Sequence, residues 1–326
     1  MNVIDRRRLI LGVGATALAG CSQPLGPVTE ADKRPPEGGI GGTGIVGTLT
    51  GFGSLLINGL RVETRGATVT DAYGATALDA LEAGQALTVE AATVDGALRA
   101  ARIHVADPLI GAVDAVSSDR RRIRVNGVIV TLLPGLSAAL LPGDRVAVSG
   151  LWRAGGIVAS RIAPVDMHNV VGQDVLAGAF RRGSEGHHSI EGAALRLQVG
   201  IAVPEDGSFV TARGRHLAEA GLFLVERLVP GRFLGAAGPL QRLSVEGYLD
   251  PVETAPGYTL AGLGHSFDAA ARLSALATRR ALYTGPYSGL FDVAEAVPLP
   301  EAVTARRALL DRLRLDPAGV ERLSTR

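Results

Sequence analysis

The sequence predicts an all-β protein: three to four small OB-like Greek-key barrels in tandem, followed by a short C-terminal helix. Three observations predict this class. Glycine supplies 43 of the 326 residues without a Gly-X-Y period, which favours many tight turns between short strands. Three short phrases recur in the same order along the chain. Apolar residues alternate within the phrases, as they do in half-buried strands.

The first phrase is an apolar strand centred on a glycine, and its four copies are 45–49, 109–113, 176–180 and 245–249. The second is a strand broken by a two-residue turn, at 57–60, 125–128 and, in degraded form, 190–193. The first two of these turns are Asn-Gly, which predicts a hairpin whose two central residues have positive φ. The third is a strand ending in small residues, at 87–90, 146–150, 210–214 and 281–285.

Within the first copy, the pattern predicts strands over 45–52, 54–63, 67–72, 85–94 and 97–105, with a helical turn near 77–83. Five strands with a helical turn after the third follow the order of an OB-like barrel. Strands of one larger sandwich are the alternative. We therefore expect the following organisation: a cleaved signal peptide (1–20), a Gly/Pro-rich tether (21–44), unit 1 (45–106), unit 2 (107–168), a divergent unit 3 (169–240), a more divergent unit 4 (241–299) and a C-terminal helix (300–326).

The chain after unit 4 has a helical pattern. Pro300 suits a first helical position, and Val303, Leu309, Leu310 and Leu313 fall near one face. Docking on the last barrel is the plainer interpretation, and binding of a partner is the alternative. Ser266 precedes an Ala-rich run, which predicts a second helix over 266–277.

The N-terminus predicts the destination of the protein. Arg6, Arg7 and Arg8 precede an apolar run too short to span a bilayer, which is typical of a secretory signal. The run ends in Leu-Ala-Gly before Cys21, as in a bacterial lipobox, so we expect lipidation of Cys21. We expect an envelope protein anchored in the membrane by this lipid and facing the periplasm, with the outer membrane favoured because Ser22 follows the cysteine. The paired arginines favour twin-arginine export, and Sec export is the alternative.

The segment 38–63, GGIGGTGIVGTLTGFGSLLINGLRVE, resembles the bacterial domain family of unknown function 5666. The resemblance rests on a glycine-rich lead-in at 38–44, a Gly-Phe-Gly-Ser step at 51–54 and the Asn-Gly turn at 58–59. It covers 38–105 well, unit 2 keeps only the turn, and units 3 and 4 depart further. The resemblance implies small barrels, export and frequent lipid anchoring, and it implies no activity and no site residues.

The sequence contains no recognisable catalytic constellation, so we expect no enzyme, no catalytic residues and no cofactor. Its densest histidine cluster is His187-His188, and adjacent strand residues point to opposite faces, so we also expect no metal site. We expect no nucleic-acid partner, because the chain after residue 20 carries 30 basic and 31 acidic side chains and a single lysine, Lys33. The run Arg120-Arg121-Arg122 after Asp119 predicts a charged hairpin tip, either simply solvated or binding an anion or lipid headgroup.

These observations leave a non-catalytic envelope protein that binds a protein or glycan through its barrels. Phe52, Trp152 and Arg153 lie near strand ends and are the candidate binding residues, with core packing as the alternative for the two aromatics. An exported enzyme that acts on a periplasmic glycan or peptide through an unrecognised carboxylate or histidine site is the second hypothesis. A spacer between membrane and wall that binds nothing specific is the third.

Overall fold

The computed structural model of the chain describes residues 41–136, 139–165, 173–252, 257–264, 267–268, 273 and 276–313. The signal peptide, Cys21 and nearly all of the tether lie outside the described residues, so the predictions about them stay predictions. No helix within the described ranges is long and apolar enough to cross a membrane.

Unit 1 is a closed five-stranded barrel with a small hairpin at its edge. Its elements are β1 (Gly42–Gly51), β2 (Leu55–Ile57), β3 (Leu60–Glu63), β4 (Thr68–Asp71), β5 (Gly74–Ala75), a 3-10 turn (Leu78–Ala80), β6 (Ala86–Val94) and β7 (Ala97–Val105). β1 pairs with β2 and β6, β2 with β3, and β7 with both β6 and, in parallel, β3. The β4–β5 hairpin follows β3 and pairs with β7. The predicted OB-like order is confirmed here. The single strand predicted over 54–63 is wrong, because the Asn-Gly turn divides it into β2 and β3, and the strand predicted over 67–72 is β4 of the edge hairpin.

The interior of unit 1 follows the alternation in its sequence. Val62, Leu87, Val89 and Ile103 are fully buried, while the neighbours of Val62 in β3 are exposed. A half-buried strand alternates in this way because successive side chains point to opposite faces of the sheet. β1 begins at Gly42, so the last three residues of the predicted tether belong to the barrel.

Units 2 and 3 repeat the same strand order. Unit 2 consists of β8 (Leu109–Val116), β9 (Arg122–Val125), β10 (Val128–Leu132), β11 (Arg145–Arg153) and β12 (Gly156–Pro164). Unit 3 consists of β13 (Asp174–Arg181), β14 (His188–Ile190), β15 (Ala193–Leu197), β16 (Phe209–Leu217) and β17 (Leu222–Pro230). In each unit the first strand pairs with the second and fourth, and the third runs parallel to the fifth, which closes the barrel.

Unit 4 keeps the order with a long first strand and several short later strands. It consists of β18 (Leu240–Val252), β19 (Gly257–Leu260), β20 (Phe267–Asp268), β21 (Arg280–Pro286), β22 (Phe291–Asp292) and β23 (Glu295–Pro298). β18 pairs with β19 and β21, β21 with β23, and β20 runs parallel to β22. Among the described residues, the step from β19 to β20 lacks strand pairing. The helix predicted over 266–277 is wrong at Phe267–Asp268, which form β20.

Each hairpin turn packs against the glycine of the first strand in its own unit. Asn58 and Asn126 both have positive φ, as the Asn-Gly turns predict, and both side chains are buried. The amide of Asn58 donates to Val46 O, and that of Asn126 to Ile110 O. A Cβ on Gly47 or Gly111 would lie 2.0 or 2.1 Å from these amides. The two recurring phrases are therefore linked, because the glycine makes room for the asparagine.

The units associate through their first strands. β1 of unit 1 runs parallel to β18 of unit 4, and β8 of unit 2 pairs antiparallel with β13 of unit 3. Units 1 and 4 therefore share one sheet, and units 2 and 3 share another. The chain thus joins its outer units to each other and its inner units to each other.

The C-terminal helix α1 (Val303–Leu313) docks on unit 4, and it begins three residues after Pro300, so the prediction of Pro300 as its first position is wrong. Leu310 is buried against Leu282 and Leu299, and Leu309 packs beside them, as predicted for the apolar face. Arg306 lies fully buried in the middle of that face. The helix therefore contributes an interior charge as well as apolar contacts.

Candidate functional site

A cleft of about 470 Å³ opens between units 3 and 4. Unit 3 contributes the end of β13, the β14–β15 turn and the loop that leads into β16. Unit 4 contributes β19 and the turns near Gly264 and Gly289. The volume lies within the range of small-ligand sites in proteins.

Charged side chains line the unit 3 wall of the cleft. Arg181 and Asp206 form an exposed ion pair with an Nη1–Oδ2 distance of 3.5 Å. Asp206 also accepts a hydrogen bond from the backbone N–H of Arg182, which fixes the loop. The neighbouring Glu205 is exposed, and its side chain makes no hydrogen bond or ion pair within the described part of the chain. This wall therefore presents donors and acceptors to a solute.

Glu191 lies at the base of the cleft and joins the two units. Its Oε1 accepts hydrogen bonds from Ala179 N in unit 3 and Gly262 N in unit 4, at 2.9 and 3.0 Å. Burial raises the pKa of Glu191, although these two N–H donors oppose the shift. Glu191 occupies the hairpin position that Asn58 and Asn126 hold in units 1 and 2, again with positive φ.

The opposite wall is held by contacts that the turn after β19 makes with β16 and with Arg232 of the linker before unit 4. Phe209 N donates to Gly264 O, and a Cβ on Gly264 would lie 2.4 Å from Phe209 N, so this close approach requires glycine. The guanidinium of Arg232 stacks 3.8 Å from the Phe209 ring centroid and donates to the carbonyls of Gly262 and Leu263. Burial lowers the pKa of Arg232 to about 9. Tyr258 of β19 lies on the unit 4 side of the cleft.

The arrangement is suited to binding a polar ligand. The cleft offers an arginine, three carboxylates, the Tyr258 ring and the Thr259 and Ser208 hydroxyls. Aromatic and polar groups together provide apolar contact and fix the orientation of a ligand. Within the described residues, no three histidine, cysteine, aspartate or glutamate side chains lie together as a metal site would require.

The residues singled out from the sequence lie outside this cleft. Phe52 is 56% exposed in the turn between β1 and β2, so its core-packing alternative is wrong. Trp152 is only 4% exposed, and its Nε1–H donates to Ala177 O at 2.7 Å. Gly262 of unit 4 approaches the same ring, since a Cβ there would lie 2.5 Å from Cδ1. Trp152 therefore joins three units, which is the core-packing alternative stated for it.

Arg153 and the histidine pair have separate surroundings. The Arg153 guanidinium lies 5.9 Å from the Tyr248 ring centroid, at the contact between units 2 and 4. His188 is buried against Phe180 in unit 3, whereas His187 is exposed, so the two rings do point apart. Neither histidine lines the cleft.

The sequence analysis missed the cleft residues, although one signal was present. The third hairpin has Glu191 where an asparagine tolerates positive φ better. A glutamate at such a position indicates a role for its carboxylate beyond the turn. Arg181, Asp206 and Tyr258 carry no comparable signal, because units 3 and 4 come together only in the folded chain.

The fold and the cleft define a class: the chain is a tandem small-barrel protein of OB-like order. The model of the family described as Domain of unknown function (DUF5666) matches residues 43–104 and 110–163. The match confirms the resemblance of unit 1 and extends it to unit 2, as two tandem domains, while the same strand order continues in units 3 and 4. The chain matches no curated protein and no solved structure.

Proposed function

We propose that the protein is an exported, lipid-anchored protein of the bacterial envelope with a non-catalytic binding role carried by its tandem barrels. The observation that carries the binding role is the cleft between units 3 and 4. Arg181, Glu205 and Asp206 line this cleft and are exposed, so a ligand can reach their side chains. The ligand is a segment of an envelope protein or a glycan, because both present polar groups and both can fill a cleft of this volume.

The N-terminal sequence supports export and anchoring. The apolar run before Cys21 has the length of a signal, and Cys21 is the chain's single cysteine, at the position where lipidation requires it. Two or three acyl chains suffice for stable membrane attachment. Metabolic labelling with a fatty-acid probe tests this part: label and membrane association both disappear in Cys21→Ala. An unlabelled, soluble wild-type protein would exclude the anchor.

Cleft variants test the binding role. Arg181→Gln/Asp206→Asn removes the exposed ion pair of the cleft wall without changing the net charge. Arg99→Gln/Glu63→Gln is a matched control, because this pair is exposed to a similar degree on unit 1. Pulldown from solubilised envelope should recover a stoichiometric partner with wild type and control, and not with the cleft variant. Equal recovery by all three proteins would place the binding surface elsewhere.

The exported enzyme is a second candidate, favoured by the raised pKa of Glu191 inside the cleft. Both N–H contacts to this carboxylate come from the backbone, one from unit 3 and one from unit 4, which favours a structural role. A glycan and peptide panel separates the two candidates. Turnover that is lost in Glu191→Gln would favour the enzyme, and the absence of turnover together with a retained partner would favour binding.

A further inference from the structure

The charge of unit 2 is concentrated on one hairpin. Residues 107–165 contain seven arginines and four aspartates, and no lysine or glutamate. Arg145 pairs with Asp174 of unit 3, Arg161 pairs with Glu82 of unit 1, and Arg153 lies at the contact with unit 4. The other four arginines all lie in the loop before β9 or in β9 itself: Arg120, Arg121, Arg122 and Arg124. We call these four side chains the arginine hairpin.

The arginine hairpin faces solvent. All four side chains are exposed, and within the described residues none makes a side-chain hydrogen bond or an ion pair. The exposed Ile129 of β10 lies directly opposite Arg124 and adds an apolar side chain to the same face. The surface is therefore basic with an aliphatic side chain between the charges.

The loop holds its arginines in a fixed conformation. Asp119 accepts hydrogen bonds from the Ser117 hydroxyl and from Arg121 N, and the Ser117 hydroxyl accepts one from Arg122 N. Arg120 has a φ of 54°, a region that glycine or asparagine adopts more readily. An arginine kept at a strained position is an observation that favours a functional role for its charge.

Acidic groups offset only part of this charge. The carboxylate of Asp119 is used by its own loop, and that of Asp114 accepts a hydrogen bond from Gly127 N at the other end of the hairpin. Two carboxylates therefore face four guanidinium groups. The remaining field attracts anions, and multiple phosphates on one plane match a row of arginines better than a single small anion does.

We propose that the arginine hairpin contacts the headgroups of anionic phospholipids on the membrane that carries the lipid anchor. The inference rests on the proposed anchoring for its biological setting. Twenty-one peptide steps separate Cys21 from Gly42, and a fully extended chain of this length spans about 70 Å at most. An anchored barrel body therefore stays near one bilayer, where weak electrostatic contacts act at high effective concentration.

Vesicle sedimentation tests the contact without the anchor. The protein is the chain 21–326 with Cys21→Ala, so that neither signal peptide nor acyl chains insert. We expect binding to phosphatidylcholine vesicles that contain 30% phosphatidylglycerol, no binding to pure phosphatidylcholine, and release when salt rises from 50 to 500 mM. Equal binding to both vesicles would overturn the proposal.

Two matched variants identify the surface. The hairpin variant is Arg120→Gln/Arg121→Gln/Arg122→Gln/Arg124→Gln. The control variant removes the same charge from exposed arginines of units 1 and 3: Arg61→Gln/Arg65→Gln/Arg196→Gln/Arg227→Gln. We expect at least tenfold weaker binding for the hairpin variant and less than a threefold change for the control. Equal weakening by both would show a general charge effect and overturn the assignment.

The outcomes remain separable from the proposed function. Because the chain in this assay carries no lipid, a failure of fatty-acid labelling in cells leaves the vesicle result unaffected. If the hairpin variant with four substitutions unfolds at a lower temperature than wild type, the milder variant Arg121→Gln/Arg124→Gln replaces it. Binding to heparin, a soluble polyanion, with no binding to anionic vesicles would overturn the lipid assignment.

Discussion

The junction of units 1 and 4 carries three fully buried charged side chains, whereas the junction of units 2 and 3 keeps its ion pair near the surface. Glu246 lies 2.8 Å from Arg280 and 3.0 Å from Arg306, and both arginine side chains are completely buried. Arg145 and Asp174 form a 2.9 Å pair at the other junction, and both side chains retain some exposure.

The different strand directions explain this contrast. The parallel pairing of β1 with β18 ends at Val46 and Val245, and the next inward N–H, of Thr48, donates to the Glu246 carboxylate. At the antiparallel junction, the pairing of β13 with β8 ends at Leu176, and the next N–H, of Ala177, donates to the carbonyl of Pro108. A buried N–H requires an acceptor. A backbone carbonyl accepts its hydrogen bond without bringing a charge into the interior, whereas a buried carboxylate requires counter-charges. The two arginines supply them, one of them from the C-terminal helix.

Removing the buried carboxylate should have the largest effect. In Glu246→Ala, Arg306 would remain buried without an ion-pair partner, and Arg280 would keep only the partly exposed Glu301, at 3.3 Å. Burial alone would raise the pKa of Glu246, and the two arginines together with the hydrogen bonds of Thr48 bring it below its usual value. We expect a loss of about 3–5 kcal/mol in the free energy of unfolding, measured by urea denaturation. Helix α1 should detach first, and proteolysis near Val303 reports that event.

Asp174→Ala is the matched change at the other junction. It removes the partner of Arg145 and the acceptor of His216 N, but water reaches this pair. The expected loss is about 1–3 kcal/mol. If Asp174→Ala costs more than Glu246→Ala, burial does not explain the difference between the junctions.

The repeat phrases made the strand order predictable, because each phrase is local. The two Asn-Gly turns, the alternation around Val62 and the strands of unit 1 all follow from neighbours in sequence. The pairing of units 1 and 4 joins residues about 200 positions apart, so local patterns contain no information about it. Glu246 was the available signal, since it is the charged residue where the other first phrases have Val46, Ile110 and Ala177.

The candidate site was predicted less well than the fold. Trp152 was a candidate binding residue near a strand end, with core packing as the alternative, and its indole donates to unit 3 and packs against unit 4. A strand end is exposed in an isolated barrel and becomes interior when barrels pack together. The sequence contained a clearer signal for a buried charge, since Arg306 stands between Val303 and Leu310 on the apolar face of α1.

A methyl group on the first-strand glycine should break the contact with the hairpin. In Gly47→Ala, the new Cβ would displace Asn58, whose amide bonds both Val46 and Ser244 of unit 4. Gly111→Ala would displace Asn126, whose amide donates to Ile110 O in its own unit. We expect each change to lower the free energy of unfolding by about 1–3 kcal/mol, with the larger loss for Gly47→Ala, measured by thermal unfolding.

Gly247→Ala is the control for these two changes. Its Cβ would meet only a methyl group of Leu260, at 3.2 Å, and a small movement of that side chain relieves the contact. The expected loss is below about 1 kcal/mol. A loss as large as that of Gly47→Ala would indicate that strand propensity, and not displacement of the asparagine, determines the effect.

Trp152→Phe tests whether the junction of units 2 and 3 depends on one indole. The change leaves Ala177 O without its donor and leaves a small void beside Gly262. We expect a loss of about 1–2 kcal/mol, measured by chemical denaturation. Phe180→Leu is not a suitable control, since that ring is fully buried in one barrel, and Phe52→Leu, at an exposed position, should leave stability unchanged.

The smallest effect concerns the linker beside the junction of units 2 and 3. Asp107 precedes Pro108 and accepts a hydrogen bond from the Ser149 hydroxyl. Burial raises the pKa of Asp107 to about 6, although Ser149 and Arg161 oppose the shift and Asp71 adds to it. Between pH 4 and 6 the folded chain therefore holds more protons than the unfolded chain, and this carboxyl lowers stability as pH rises through that window.

Asp107→Asn should remove this dependence, because the amide oxygen still accepts from Ser149 and carries no charge. We expect the free energy of unfolding of the variant to exceed that of wild type by about 1 kcal/mol at pH 7 and to equal it at pH 4. This gain is smaller than the full value of a two-unit pKa shift. Urea denaturation at pH 4, 5.5 and 7 measures the difference, in which the titration of His104 and other groups cancels. Asp119→Asn is the control of opposite sign, since Ser117 lowers the pKa of that carboxyl. A gain at pH 7 in both variants would assign the effect to net charge instead of to the buried linker.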